Sequence, residues 1–251
     1  MTEMTRDIAL SVVIPARNEA QRIGPTLDRV IDQLAPLAAA DGVEIIVVDG
    51  GSSDGTLDAV AQRVGRAPWL RGLSYRPNRG KGHAVRMGML AAVGRRRLFT
   101  DADLSTPIEE LSALMAALDA GADVAIGSRQ LDPARVQRRQ PRHRQLLGRG
   151  FNQLVRWAGL PQYRDTQCGF KLFSATAAEA LFGQASVDGF AFDVEILTLA
   201  RDRFRVVEVP VRWSHDDDSR LRLGRAVLRM AYDVARIRAG LTGRAAGNGH
   251  G

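Results

Sequence analysis

Val43-Glu44-Ile45-Ile46-Val47-Val48-Asp49-Gly50-Gly51-Ser52-Ser53-Asp54-Gly55 is the stretch whose reading decides the fold. Val43 to Val48 are almost all β-branched and apolar, the mark of a strand covered on both faces. The run stops at Asp49. It gives way to Gly, Ser and Asp, residues that tolerate or stabilise tight turns. A buried strand opening into a polar turn is the repeating unit of a parallel α/β sheet.

The same unit recurs on either side. Upstream, Ile8 to Ile14 reads as a buried strand, Pro15 to Glu19 as a polar loop and Pro25 to Leu37 as a helix; proline costs little in a first helical turn. Downstream come a helix, a strand over Leu70 to Ser74, the turn Pro77-Asn78-Arg79-Gly80-Lys81-Gly82 and another helix. Arg97 to Thr100 is a strand ending at Asp101-Ala102-Asp103, Pro107 opens a helix, and Asp123 to Ser128 is a further strand. This alternation implies an α/β fold with a mostly parallel sheet flanked by helices. Ligands bind such sheets at the carboxyl ends of the strands, and each Gly- or Asp-rich cluster here follows a strand.

The second half is more mixed. Gln167 to Phe173 reads as a strand, Ala175 to Phe182 and Phe192 to Arg203 as helices, and Val206 to Val211 as a strand whose Pro210 marks an edge or an end. Leu221 to Leu241 is a helix, and the Gly-rich tail from Thr242 is expected to be disordered. One domain over residues 1–241 is expected.

The 251 residues are 45% hydrophobic and 25% charged, enough for a real core. Lys and Arg number 35 against 28 Asp and Glu, so anions are the natural partners: nucleic acid, anionic lipid or phosphorylated ligands. Cys168 is the single cysteine, which excludes an internal disulfide and a cysteine zinc cage. Met1 to Asp7 lacks the layout of a signal peptide, and no apolar run approaches the length of a membrane span. A cytoplasmic chain that meets membranes only peripherally is expected.

Several clusters carry candidate chemistry. Asp101 and Asp103, one residue apart at a strand end, can face one hard cation of the Mg²⁺ or Mn²⁺ type, completed by substrate phosphate. The same segment also suits a helix start capped by Ser105 or Thr106. Asp49 can accept hydrogen bonds from a base or ribose, or simply form its turn. Asn78-Arg79-Gly80-Lys81-Gly82 offers amides and two cations at a helix start, a plausible anion site, but its spacing is not that of a P-loop.

Together, Val12-Val13-Ile14-Pro15-Ala16-Arg17-Asn18-Glu19, Val47 to Thr56, Asn78 to Gly82 and Phe99-Thr100-Asp101-Ala102-Asp103 resemble glycosyltransferase family 2, with its GT-A, Rossmann-like fold. Ile126 to Arg129, Asp165-Thr166-Gln167-Cys168-Gly169-Phe170-Lys171 and Gly189 to Glu195 are similar to its dolichyl-phosphate β-glucosyltransferase branch and the bacterial polyprenyl-phosphate relatives. The resemblance implies a nucleotide-sugar half over about 8–130 and an acceptor- and membrane-facing half over about 131–241. Pro15, Arg17, Glu19, Asp49, Lys81, Asp101 and Ala102 would line the nucleotide-sugar pocket. Asp103 would bind the metal with Asp101. His215-Asp216-Asp217-Asp218-Ser219-Arg220 resembles the stretch that closes over the donor diphosphate, with Arg220 as the main contact and His215 as a weaker one or a metal ligand. Arg129 would hold the acceptor phosphate. Gly50-Gly51 stands where the family more often has an acidic residue after the Asp49 position.

The implied reaction is inverting, metal-dependent transfer from a UDP-sugar to polyprenyl phosphate. UDP-glucose is the first expectation and UDP-N-acetylgalactosamine its rival; GDP-mannose or a soluble acceptor is the alternative. A phosphate monoester is largely dianionic at neutral pH, so no base is required. Asp193 and Glu195 are then acceptor-site residues with Asp193 as the catalytic candidate, or a solvated pair at a helix start.

Pro133 to Arg164 holds eight arginines and no acid. Arg142, Arg149 and Arg156 share one line, and Leu147, Phe151, Leu154 and Ala158 another. The last helix repeats the pattern with Arg222, Arg229 and Arg236 against Leu223, Met230, Val234, Ile237 and Leu241. Basic amphipathic helices lie on anionic membranes, with a small membrane protein as a further expected partner. The apolar lines can equally face the core. Nucleic-acid binding is the alternative from another class, but the aromatic interleaving it would want is missing.

Overall fold

The computed structural model describes residues 8–138, 153, 155, 159–160, 162–215 and 223–247. Its centre is a seven-stranded sheet in the order β3-β2-β1-β4-β7-β5-β8. The strands are β1 (Leu10–Ala16), β2 (Val43–Asp49), β3 (Leu70–Ser74), β4 (Arg96–Thr100), β5 (Val124–Ser128), β7 (Phe170–Ser174) and β8 (Val206–Pro210). All neighbouring pairs run parallel except those of β7, which is antiparallel to β4 and β5. β6 (Val136–Arg138) and β9 (Trp213–Ser214) pair separately.

Alternation along each strand builds two cores. Val13, Ile46, Val48, Phe99 and Phe173 pack on one face against α3 (Lys81–Ala91), α5 (Ala175–Gln184) and α6 (Phe192–Ala200). Val12, Ile45, Val47, Leu98 and Leu172 pack on the other against α1 (Ala20–Ala40), α2 (Thr56–Val64) and α4 (Leu111–Asp119). Each buried Val, Leu or Ile side chain stabilises by about 1.5–3 kcal/mol, which is why strands this apolar read so clearly.

The element ends differ from expectation where tertiary contacts outweigh local signals. α1 begins at Ala20, so Pro25 and Pro36 lie inside it. Its first turn is set from outside: Glu19 N–H donates to Thr56 Oγ1 and Ala20 N–H to Asp54 Oδ2. Pro107 precedes a 3₁₀ turn, Ile108–Glu110, before α4 begins.

The final helix, α7 (Leu223–Gly247), runs six residues past its expected end at Leu241. Val234 is buried and Ile237 packs on the core, so at these two positions the apolar line faces inward, the alternative expected from the sequence. Arg229 and Arg236 are exposed. So are Leu228, Tyr232, Ala235 and Ala239, which fall on a second line opposite the buried one. The arginine-rich line of Arg142, Arg149 and Arg156, its apolar companions Leu147, Phe151, Leu154 and Ala158, and Arg222 lie outside the described residues. Among the described residues no helix is long and apolar enough to cross a membrane.

Candidate active site

The parallel strands β1, β2 and β4 deliver their carboxyl ends to one edge of the sheet. The loops after β1 and β2 are stitched together there. Asn18, in the left-handed region at φ 56°, donates its N–H to Ser52 Oγ at 2.8 Å, and its Oδ1 accepts from Ser53 N–H at 3.0 Å. Gly50 N–H donates to Ala16 O. Pro15 is half-buried on β1, Arg17 is exposed, and Glu19 pairs with Arg22 at 2.9 Å.

Asp49 ends β2 and is buried. Its carboxylate accepts from the N–H groups of Gly51 and Ser52, from the Ser52 hydroxyl, and from Ser74 Oγ at 3.3 Å. The structure therefore gives Asp49 a turn-forming role.

Asp101 and Asp103 follow β4, as expected. Ala102 between them is buried, and its carbonyl accepts from Thr26 Oγ1 at 2.6 Å. Lys81, the first residue of α3, places Nζ 2.6 Å from Asp101 Oδ1 and 5.2 Å from the Phe99 ring centroid. Burial works against the Lys81 ammonium, but Asp101 and then Asp193 outweigh it and hold its pKa above the ordinary lysine range. Asp103 Oδ1 accepts from Ser105 N–H at 2.9 Å. Burial, and then the neighbouring Asp101, push the Asp103 carboxyl up.

The antiparallel β7 brings a second set of charges to the same edge from the opposite direction. Lys171 pairs across the sheet with Phe99 on β4 and Ile126 on β5. Its Nζ donates to Cys168 O at 2.6 Å and lies 2.6 Å from Asp193 Oδ1. Burial raises the Asp193 carboxyl, with Lys171 and then Lys81 opposing. The solvated alternative for Asp193 and Glu195 does not hold, because both are buried. Glu195 accepts from Ser186 N–H and Oγ and from Val187 N–H, and so ties down the segment before α6.

Gly169 explains why this junction can close. Asp101 N–H donates to Gly169 O at 3.1 Å. A Cβ on Gly169 would collide with the Asp101 carboxylate.

Arg129, just past β5, is bound on three sides by Asp165: its backbone N–H at 2.9 Å, Nε at 2.6 Å and Nη2 at 2.7 Å from the carboxylate. Burial opposes ionisation of Asp165, but Arg129 wins and holds it below the usual carboxylate range. The guanidinium lies 5.3 Å from the Trp213 ring, and Trp213 stacks on His215 at 5.9 Å. Ser214 N–H donates to Ser105 O at 2.9 Å, which draws the strand before His215 against the Asp101–Ser105 loop. The expected metal trio of Asp101, Asp103 and His215 nevertheless does not form. Among the described residues no three His, Cys, Asp or Glu side chains are placed to hold one ion. Lys81 takes one Asp101 oxygen, and His215 is stacked on Trp213. Arg220 lies outside the described residues.

Lys171, Asp165 and Trp213 were not singled out from the sequence, yet they pair with or stack on residues that were or that lie beside them. The signal for Lys171 was available: a lysine inside the apolar run Phe170-Lys171-Leu172-Phe173 must find an acidic partner.

This edge of the sheet thus sets Lys81, Lys171 and Arg129 among the carboxylates of Asp101, Asp103, Asp165 and Asp193, with helices on both faces. Residues 11–182 match the family model Glycosyl transferase family 2. The chain belongs to glycosyltransferase family 2 and is a glycosyltransferase. A dolichyl-phosphate β-glucosyltransferase of Trichomonas vaginalis is 37% identical over 94% of this chain and 73% of its own length. The enzyme of that name from Drosophila melanogaster is 40% identical over 94% of this chain and 76% of its own. Among solved structures, glucosyl-3-phosphoglycerate synthase from Mycobacterium tuberculosis, in complex with Mn²⁺, UDP-glucose and phosphoglyceric acid, has the same fold. It superposes with a TM-score of 0.66 at 22% identity, over 92% of this chain and 80% of that one.

Proposed function

We propose that this chain transfers glucose from UDP-glucose to the phosphate of a polyprenyl lipid at a membrane surface, with inversion at the anomeric carbon and with Mg²⁺ or Mn²⁺ as cofactor. One observation carries the reading. The similarity to dolichyl-phosphate β-glucosyltransferases spans 94% of the chain, well beyond residues 11–182 that match the family model.

The donor set fits a divalent cation. Asp101 and Asp103 offer only oxygen, as hard cations prefer, and two carboxylates plus substrate phosphate is a common arrangement. Burial and Asp101 lift the Asp103 carboxyl, a strain that a positive neighbour relieves. When bound there, the cation would offset charge on the leaving diphosphate. Lys81, beside Asp101, would stand near the same phosphates. Pro15, Arg17, Glu19, Asp49, Ala102 and Arg220 would complete the donor pocket.

The acceptor phosphate needs no base. One of its oxygens forms the new bond to the anomeric carbon as the bond from that carbon to the UDP oxygen breaks, and UDP leaves with the electron pair. Asp193, tied to Lys171, keeps the floor of the site polar and fixed in this scheme, and Arg129 stands on the acceptor side. Contact with the membrane would fall to α7. Its exposed line of Leu228, Tyr232, Ala235 and Ala239, flanked by Arg229 and Arg236, suits an anionic lipid surface.

The test is a transfer assay. Purified protein, Mg²⁺ or Mn²⁺, polyprenyl phosphate and a panel of labelled UDP- and GDP-sugars are combined, and label in the organic phase is counted. Metal-dependent transfer from UDP-glucose, abolished in Asp103→Ala, is expected. Label in the lipid from no donor would overturn the lipid-phosphate reading.

A further inference from the structure

The helix that carries Lys81 does not cap itself. Gly80 precedes α3 with no side chain to offer, and no acidic residue falls in the first turn. The amides of a first helical turn need partners from outside the helix. One comes from the segment before α6: the carbonyl of Asp188 accepts from His83 N–H at 3.2 Å.

The Asp188 side chain adds a second hold. Its Oδ2 accepts from Arg79 Nε at 3.0 Å and its Oδ1 from Arg86 Nη2 at 3.3 Å, so one carboxylate joins two arginines that bracket Lys81 in the chain. A negative charge at a helix N-terminus is also favoured by the helix dipole. Arg86 reaches the same segment again through Ala185 O at 2.8 Å. The two backbones touch: a Cβ on Gly80 would collide with Asp188 O, and one on Gly82 with Val187 O. Glu195 holds this segment from its other side, accepting from the N–H groups of Ser186 and Val187.

The run Asn78 to Gly82 therefore divides its work. Its two glycines admit the segment before α6, and Arg79 pairs with Asp188, while Lys81 is aimed at Asp101, 2.6 Å away. A lysine ammonium rides on a flexible four-carbon stem, so its reach depends on how firmly its backbone is held.

We propose that Asp188 is a positioning residue for the donor site, a cap supplied from a distant part of the chain that fixes the first turn of α3 and with it the place of the Lys81 ammonium. This rests on the reading of Lys81 as a neighbour of the donor phosphates given above. Asp188 touches neither donor nor acceptor in this scheme and acts through Lys81.

A double-mutant cycle tests that dependence. Asp188→Ala should lower kcat/KM for the donor roughly tenfold or more, as misplacement of a site group does. In a Lys81→Met background the same change should cost less than about twofold, because no ammonium is left to place. An equal loss in both backgrounds, or a lowered thermal midpoint with unchanged kinetics, would show a merely structural residue and overturn the proposal. Asp188→Asn keeps the size and one acceptor oxygen, and it carries the same comparison should Asp188→Ala unfold. A second arm needs no transfer: the Kd of UDP and of GDP with Mn²⁺, read by calorimetry across the same cycle. Native protein that makes no lipid product but whose nucleotide binding shows this coupling would sink the lipid-phosphate reading and leave Asp188 in its role. Lipid product formed equally well by Asp188→Ala and the native chain would do the reverse, and a native chain that binds neither nucleotide would overturn both.

Discussion

The Lys171 ammonium lies 2.6 Å from Asp193 Oδ1, with the two residues 1% and 4% exposed. A pair this deep stabilises little against an apolar alternative, yet breaking it strands a buried charge. Lys171→Met should therefore cost about 3–5 kcal/mol at neutral pH. The deficit should depend on pH with a definite sign. Burial places the Asp193 carboxyl above its ordinary pKa, so the folded state takes up that proton more readily than the unfolded one. Stability is then gained as pH falls through the folded pKa. Urea unfolding at pH 7.5 and pH 5 should show the variant's deficit shrinking at the lower pH; an equal deficit at both would contradict the assignment.

Gly169→Ala places a methyl group against the Asp101 carboxylate. Either Asp101 turns away from Lys81 or the loop before β7 moves. Displacing a catalytic group by about 1 Å can cost roughly a hundredfold in rate. A fall of that order in transfer, with an unchanged circular dichroism spectrum, is expected.

Cys168 is fully buried and its thiol is pushed up to about 11 by burial. The thiolate is the reactive form, so the folded protein should resist iodoacetamide at pH 8. Labelling followed by mass spectrometry should be at least about a hundredfold slower than in urea. Rapid labelling without denaturant would show that the segment before β7 opens.

Leu228 and Tyr232 are 73% and 65% exposed on α7. Leu228→Glu with Tyr232→Glu should leave stability within about 0.5 kcal/mol, as surface changes usually do. The same double variant should lose binding to vesicles containing anionic lipid, read by co-sedimentation. Undiminished binding would move the membrane contact elsewhere on the chain.

Most of the first half of the sheet was legible in the sequence because its signals are local. A β-branched run such as Val43 to Val48 has few other fates, and Asp49, Lys81, Asp101 and Asp103 all fall at strand or helix ends where the alternation puts them. The pairings around β7 were harder. Lys171 and Asp193 are 22 residues apart, and Arg129 and Asp165 are 36 apart. Nothing in either neighbourhood announces the other, because the reversed direction of β7 creates both pairings. The same applies to α7. Its helical period was clear, but two apolar lines run along it, and only packing decides which one is covered.

β5 makes no contact with β4 as a strand pair; β7 stands between them. A fragment ending near residue 130 would hold two open strand edges across a slot about 10 Å wide, and such edges recruit other chains. The residues proposed to face the donor and those proposed to face the acceptor are carried by one hydrogen-bonded sheet. A substitution in β7 is therefore felt by both of its neighbouring strands at once.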